Sequence, residues 1–274
     1  MSAPGRPKRE SSVGEDVAKR PEGRPSTAPG HPSTAPRPEG GTLHLLPVGL
    51  GEAPPDTWLP AAARAQAGRL RRYIAENAKT ARAFLKQVGT ESPLQEIDIQ
   101  VLDRQADEAR LRTWLAPLAA GEDIGLVSEA GCPAVADPGA KVVALAHRLG
   151  HRVQPWVGPS SILLGLMASG LEGQRFAFHG YAPVKPADRV AQLRHWEQNS
   201  RREAQTQILI ETPYRNGAMF ASLLEHLRPD TRLCVARALT TAEEWVRTLT
   251  VAQWRQQPPP ALDKQPTLFL FLAD

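Results

Sequence analysis

The chain has 274 residues, with 33 Lys and Arg against 29 Asp and Glu, 26 prolines, 21 glycines and two cysteines. That length allows one or two domains with a sizeable core. Cys132 and Cys234 lie far apart with no CxxC, which excludes a disulfide framework or a cysteine-rich zinc site, and the longest apolar run, Ile162 to Ala168, is too short to span a bilayer.

Residues 1–40 hold 8 of the prolines and repeat Pro25-Ser-Thr-Ala-Pro29 as Pro32-Ser-Thr-Ala-Pro36. Such a segment cannot bury enough apolar surface to offset its ordering entropy, so a disordered tail is expected there. It carries seven of the Lys and Arg and five of the Asp and Glu, leaving 26 against 24 in the remainder. Bulk charge therefore neither demands nor forbids a nucleic acid, and a polyanion-binding surface has to come from local patches. No apolar segment follows Met1, so no signal peptide is read and a cytoplasmic protein is expected.

From residue 41 onward, short β-rich runs alternate with helical periods. The strands read as Leu43–Val48, Leu70–Ala75, Ile97–Leu102, Ile124–Ser128, Val153–Val157, Phe176–Tyr181, Gln207–Glu211, Arg232–Ala236, Trp245–Leu249 and Thr267–Leu272. The helices read as Thr80–Val88, Asp107–Ala119, Ala140–Leu149, Ser160–Ser169, Arg189–Gln198 and Asn216–Leu227. Gly89 and Gly150 stop the first and third of these. Continuously apolar runs such as Ile208-Leu-Ile210 fit strands covered on both faces, which gives an α/β fold with a mixed, mostly parallel arrangement. Two prolines and a glycine in Gln154–Pro159 mark a boundary, dividing the body into α/β domains at 41–155 and 156–274.

Ligands gather beyond the carboxyl ends of strands in such sheets, and four loops there are rich in small residues. They are Pro47-Val-Gly-Leu-Gly51, Ser128-Glu-Ala-Gly-Cys-Pro133 with Asp137-Pro-Gly139, Gly158-Pro-Ser-Ser161, and Glu211-Thr-Pro-Tyr-Arg215. Glycine admits close backbone approach, and helix N-termini bind anionic groups. Taken singly each signal is weak. Gly49 and Gly51 lack the third glycine of a dinucleotide site, and Asp137-Pro-Gly139 reads as a helix start with Asp137 at or near the N-cap. His147 and His151 have i, i+4 spacing but no third ligand, so they read as helix-end surface and no metal is expected. Trp114 reads as core, and Trp156 as packing between domains.

In order, the motifs are distinctive. Gly125-Leu-Val-Ser-Glu-Ala-Gly-Cys-Pro133 with Asp137-Pro-Gly139 resembles the Gly-Leu-Val-Ser-Asp-Ala-Gly-Thr-Pro segment and Asp-Pro-Gly of the tetrapyrrole-methylase superfamily. Gly158-Pro-Ser160, Arg175–Pro183, Ile210-Glu-Thr-Pro-Tyr-Arg215 and Val235–Thr240 resemble it too, so the likeness covers residues 41–274. It is greatest to the branch acting on small-subunit ribosomal RNA. The resemblance implies two α/β domains with S-adenosylmethionine in the cleft between them, a homodimer, and 2′-O-methylation of a ribose in that RNA. By position, it implies cofactor contacts from Pro47, Gly49, Ser128, Glu129, Ala130, Gly131, Cys132, Pro133, Ser160, Ser161, Leu209, Ile210, Glu211 and Ala236.

Three segments depart from the pattern. The family's Thr-Pro-Ile-Gly-Asn is here Leu46-Pro-Val-Gly-Leu50, its Ala-Glu-Asp-Thr-Arg is Ala75-Glu-Asn-Ala-Lys79, and its Lys-Gly-Glu is Lys264-Gln-Pro266. Lys79 replaces a guanidinium fork with a point charge. A ribose hydroxyl benefits from a base in the transition state, and Glu129, Glu211 and His179 are the candidates. Each also has a structural reading: Glu129 bonding loop amides, Glu211 pairing with Arg215, His179 ending a strand. Lys79, Tyr214, Arg215 and Arg237 are the candidates for contacting substrate. The altered segments keep two alternatives open, a small-molecule or protein acceptor on the same fold and cofactor, and a paralogue that binds without turnover.

Overall fold

The computed structural model describes residues 40–103 and 105–274; the segment expected to be a disordered tail lies, apart from Gly40, outside the described residues. The first sheet is wholly parallel. Its strands are β1 (Thr42–Leu45), β2 (Arg72–Ala75), β3 (Asp98–Val101), β4 (Ile124–Val127) and β5 (Arg152–Pro155), in the order β3-β2-β4-β1-β5. Helices α1 (Ala61–Arg69) and α2 (Ala78–Val88) pack on one face, and α3 (Glu108–Ala119) and α4 (Ala140–Arg148) on the other. β4 is buried at all four positions because its alternate side chains enter both layers: Val127 faces α1 and α2, while Ile124 and Leu126 face α3 and α4. Gly125 leaves the space that Tyr73 fills, since a Cβ there would lie 2.4 Å from the ring, and the phenol donates to the Ala67 carbonyl.

The second sheet is mixed. It contains β6 (Phe176–Tyr181), β7 (Thr206–Glu211), β8 (Arg232–Arg237), β9 (Trp245–Thr250) and β10 (Thr267–Leu272), in the order β6-β7-β10-β8-β9. Only β6 and β7 are parallel; β10 runs antiparallel between β7 and β8, and β9 antiparallel to β8. Leu209, Leu233, Val235, Phe269 and Phe271 pack against α6 (Pro186–Glu203), α7 (Asn216–His226) and the short α8 (Val251–Trp254). On the opposite face Ile208, Cys234, Ala236, Leu268 and Leu270 pack with Leu166 of α5 (Ser161–Ser169), and Leu50 from the loop after β1 joins them. The two sheets therefore meet through that face.

All ten expected strands form, and so do the six expected helices. Ala61–Arg69 gave no helical signal because its buried face is Ala63, Ala67 and Gly68, residues too small to mark an apolar stripe. Their smallness has a packing reason, for a Cβ on Gly68 would sit 2.6 Å from the Gly89 carbonyl oxygen. Helix α2 starts earlier than read, with Asn77 as N-cap accepting from the Lys79 amide at 2.8 Å. Helix α6 runs longer at both ends, from Pro186 in its first turn. Trp156 belongs to the first sheet's core rather than packing between domains; its indole N–H donates to His44 Nδ1 at 3.0 Å. Trp114 is partly buried against the α3–α4 layer, under the Arg110 guanidinium.

Candidate active site

A cavity of about 350 Å³ opens where the two sheets meet, a size within the range of small-molecule sites. It lies at the carboxyl ends of β2, β4, β6, β7 and β8, with the N-terminus of α5 and the start of β10 completing its wall. Leu50, Ile162, Phe178, Ile210, Leu239 and Leu268 give it apolar walls. Polar groups come from Ser128, Ser160, Ser161, Glu76, Glu129, Asp137 and Glu211.

The loop after β4 is held in shape by its own side chains. Ser128 Oγ donates to the carbonyls of Ala130 and Gly131 at 3.1 and 3.3 Å. Gly131 exchanges both backbone hydrogen bonds with Val48 at 2.9 Å, tying this loop to the one after β1. Its φ of 74° lies in the left-handed region, where glycine carries no steric penalty. Cys132 Sγ donates to the Pro159 carbonyl at 3.4 Å, joining the loop that leads into α5. Ala134 and Ala136 also take positive φ, 68° and 62°, an unusual conformation for alanine. Asp137 holds this turn: Oδ2 accepts from the Ala134 amide at 2.9 Å and Oδ1 from the Gly139 amide at 2.6 Å. Asp137 is thus a structural loop clamp near the start of α4, two residues before the N-cap Gly139, and it faces the cavity as well.

Three carboxylates converge here. Burial raises the Glu76 carboxyl above the usual range, and repulsion from Asp137 and Glu129 adds to the shift, against a hydrogen bond from the Glu129 amide at 3.4 Å. Burial also raises Asp137, opposed by the amides of Gly139 and Ala134. Burial likewise raises the Cys132 thiol. At the other wall Glu211 is committed to Arg215. Its Oε1 accepts from Arg215 Nε at 3.0 Å, from Arg215 Nη2 at 2.5 Å and from the Thr212 amide at 2.6 Å, and its side chain is only 2% exposed.

Ten of the fourteen expected cofactor positions line the cavity: Ser128, Glu129, Ala130, Gly131, Cys132, Ser160, Ser161, Ile210, Glu211 and Ala236. Pro47, Gly49, Pro133 and Leu209 do not line it. Gly49 abuts the Trp58 ring, and Leu209 points into the opposite core with α6 and α7. Among the candidate bases, His179 lies outside the cavity. It stacks on Trp196 at 4.2 Å and bonds Gln207 Oε1 at 2.7 Å, and burial lowers its pKa. Lys79 is exposed in the first turn of α2, and Tyr214 is exposed beside the lining Pro213. Arg237 donates to the Ala261 carbonyl and lies over the Trp245 ring, so its head group is held within the fold.

Glu76 is the residue sequence reasoning undervalued; its signal was an acid immediately after a strand, in a segment noted only for what it had lost. Phe178 and Tyr181 were missed for another reason. Strict alternation puts residues 178 and 181 on opposite faces, but a bulge between them, with Gly180 at φ 66°, turns both toward the cavity. His147 is exposed in the last turn of α4 and His151 follows it; among the described residues no group of three or more His, Cys, Asp or Glu is placed to hold a metal.

The profile of the Tetrapyrrole (Corrin/Porphyrin) Methylases matches residues 58–254. The chain belongs to this family. It is 32% identical over 215 residues to the ribosomal RNA small subunit methyltransferase I of Neisseria meningitidis serogroup B, covering 78% of this chain and 69% of that protein. To the protein of the same name from Xylella fastidiosa strain Temecula1 it is 33% identical over 222 residues, covering 79% and 75%. The crystal structure of the methyltransferase CobJ shares the fold, with a TM-score of 0.52 at 19% identity over 85% of this chain and 94% of that one. The enzyme is a methyltransferase, and the cavity where its two sheets meet is its candidate active site.

Proposed function

We propose that the enzyme transfers a methyl group from S-adenosylmethionine to small-subunit ribosomal RNA, at a ribose 2′-hydroxyl. The observation that carries this reading is the relationship to the ribosomal RNA small subunit methyltransferases I, which spans more than two thirds of either chain. The cavity suits the cofactor in volume and chemistry. Leu50, Ile162, Ile210 and Leu268 offer an apolar surface for a flat base, and Gly131 offers backbone without a side chain. The Ser160 hydroxyl does not cap its own helix, so Ser160 and Ser161 present hydroxyls at the α5 N-terminus, suited to a carboxylate.

When bound, S-adenosylmethionine supplies an electrophilic sulfonium methyl group. With it bound, the protein would have to hold the acceptor oxygen against the methyl group and keep water away, a role the apolar walls would serve. Methylation of a hydroxyl releases its proton, so a residue at the cavity would have to accept it. Glu76 is the best-placed base: it lines the cavity, and its raised pKa brings its proton affinity closer to that of a useful base at neutral pH. Glu129, at the same wall, is exposed; Glu211 already serves Arg215. Lys79, Tyr214 and Arg215 would contact the RNA in this reading. Domains at 41–155 and 156–274 form the cleft in this reading. A homodimer would cover the exposed apolar residues Val157, Leu163 and Met167, at 75%, 52% and 79% exposure, and light scattering in solution tests it. In this reading the enzyme works in the cytoplasm, where its ribosomal substrate is.

The experiment is transfer of radiolabelled methyl to small ribosomal subunits from a strain deleted for the gene. Label in the RNA of these subunits, absent from wild-type subunits and lost with Gly131→Arg, is expected. Absence of label at concentrations where the cofactor binds would overturn the ribosomal assignment.

A further inference from the structure

The chain has three tyrosines, Tyr73, Tyr181 and Tyr214. Tyr73 is buried in the first sheet's core, while Tyr181 and Tyr214 are 56% and 81% exposed. Both exposed rings belong to one rim. β6 and β7 are parallel neighbours with Tyr181 paired to Ile210, and Tyr214 lies in the single turn Pro213–Arg215 that directly follows β7. Tyr181 lines the cavity, and so do its partner Ile210 and Pro213, the residue before Tyr214. The bulge at His179–Gly180 gives up regular pairing on the outermost strand, and its result is that Tyr181 joins Phe178 on the cavity side. Val184, three residues after Tyr181, is another exposed apolar side chain, at 66%.

Two cations follow Tyr181 within eight residues of sequence. Lys185 precedes α6 and is exposed, and Arg189 bonds Ser222 Oγ and the Val184 carbonyl, both at 3.3 Å. Among the described residues neither makes an ion pair with a carboxylate. Exposed aromatic faces next to unpaired cations match unpaired nucleotides, whose bases stack on rings while phosphates meet the cations. A purely apolar partner would leave the cations without a role.

We infer that Tyr181 and Tyr214 form a stacking clamp for unpaired RNA bases at the cavity mouth, with Lys185 and Arg189 holding adjoining phosphates. The clamp rests on the RNA reading above and adds to it the form in which the substrate is taken: single-stranded, with bases splayed on the rim so that one ribose reaches the cavity. Tyr181, at the cavity itself, takes the base of the methylated nucleotide or its neighbour; Tyr214 takes a base further out.

The test uses the full chain with two readouts. One is binding of single-stranded oligoribonucleotides carrying 2-aminopurine, whose fluorescence is quenched by stacking; the other is methyl transfer to small subunits from the deletion strain. Tyr181→Ala and Tyr214→Ala should each weaken oligonucleotide binding by about 5- to 150-fold and abolish part of the quenching, the range expected for one stacked base. Tyr181→Phe and Tyr214→Phe should restore both, and Lys185→Ala should lower the slope of log affinity on log salt by about one. In transfer, Tyr214→Ala should raise KM for subunits far more than it lowers kcat. Alanine variants that bind, quench and methylate like the wild type, while the wild type labels RNA, would overturn the clamp alone. A wild-type enzyme that neither labels subunits nor binds the oligonucleotides would overturn the RNA reading and the clamp with it. A protein acceptor would appear as that second outcome.

Discussion

Replacing Arg215 by Met removes the partner of a carboxylate that cannot reach water. Glu211 is 2% exposed at its side chain and takes three hydrogen bonds on one oxygen, two of them from the Arg215 guanidinium. Arg215 is 34% exposed, so solvent screens the pair on one side. A fully exposed pair is worth up to about 1 kcal/mol and breaking a fully buried one costs about 3–5 kcal/mol, which brackets the loss at about 1.5–3 kcal/mol for Arg215→Met. For a chain of this size that lowers Tm by roughly 3–12 °C. Glu211→Gln should cost less, because the amide oxygen still accepts from the guanidinium and the Thr212 amide. The double variant Glu211→Gln/Arg215→Met leaves no buried charge and should be more stable than the two single losses predict, with a coupling of about 1 kcal/mol or more. Urea denaturation of the four proteins measures this directly, and methyl transfer by Glu211→Gln measures catalysis separately. Additive stabilities would refute the ion-pair argument. A loss of kcat by Glu211→Gln beyond about tenfold would refute the assignment of Glu211 to structure, since a general base contributes about 10²–10⁴-fold.

Glu76→Gln should lower kcat by about 10²–10⁴-fold while leaving cofactor affinity near wild type. In the wild type kcat should fall on acidification with an apparent pKa above about 4.3, the ordinary glutamate value, because burial favours the protonated acid; a flat profile across that region would move the base elsewhere. Gly131→Val places a β-branched side chain at φ 74°, at a strain of about 1–2 kcal/mol, and directs it at the cavity; calorimetry should then detect no cofactor binding, and unchanged affinity would refute the assignment of this wall. Burial lowers the pKa of both His44 and His179, so the unfolded chain takes up these protons first as pH falls. Their contribution to stability is full above about pH 6.5 and is lost progressively below it, and His179→Phe should flatten the fall in urea midpoint between neutral and mildly acidic pH. Glu76 and Asp137 have raised values and act in the opposite sense, so the variant's difference from wild type, rather than the raw slope, is the quantity to compare.

The strands were legible because each is a short β-rich run bounded by turn residues, and burial on both faces leaves a continuous apolar stretch such as Ile124–Val127 or Ile208–Ile210. The small-residue loops after β4 and before α5 were legible for a related reason: glycine and serine at strand ends have few uses besides tight turns and ligand contact, and these loops do line one cavity. Helix α1 was not, because alanine and glycine buried at a close crossing leave no apolar periodicity to read.

Side-chain direction at the site was decided by tertiary structure alone. Local sequence gives Glu129, Glu211 and His179 similar standing and passes over Glu76, though each is an acid or imidazole at or near a strand end. The fold separates them: Glu76 comes beside Asp137 from a loop some sixty residues away, Glu211 is neutralised by the next turn of its own chain, and His179 is turned onto Trp196 by a bulge. Period and turn chemistry are properties of neighbouring residues and so are written in the sequence. Desolvation and charge repulsion depend on which distant residues share a cavity, and only the packing of two sheets against each other fixes that.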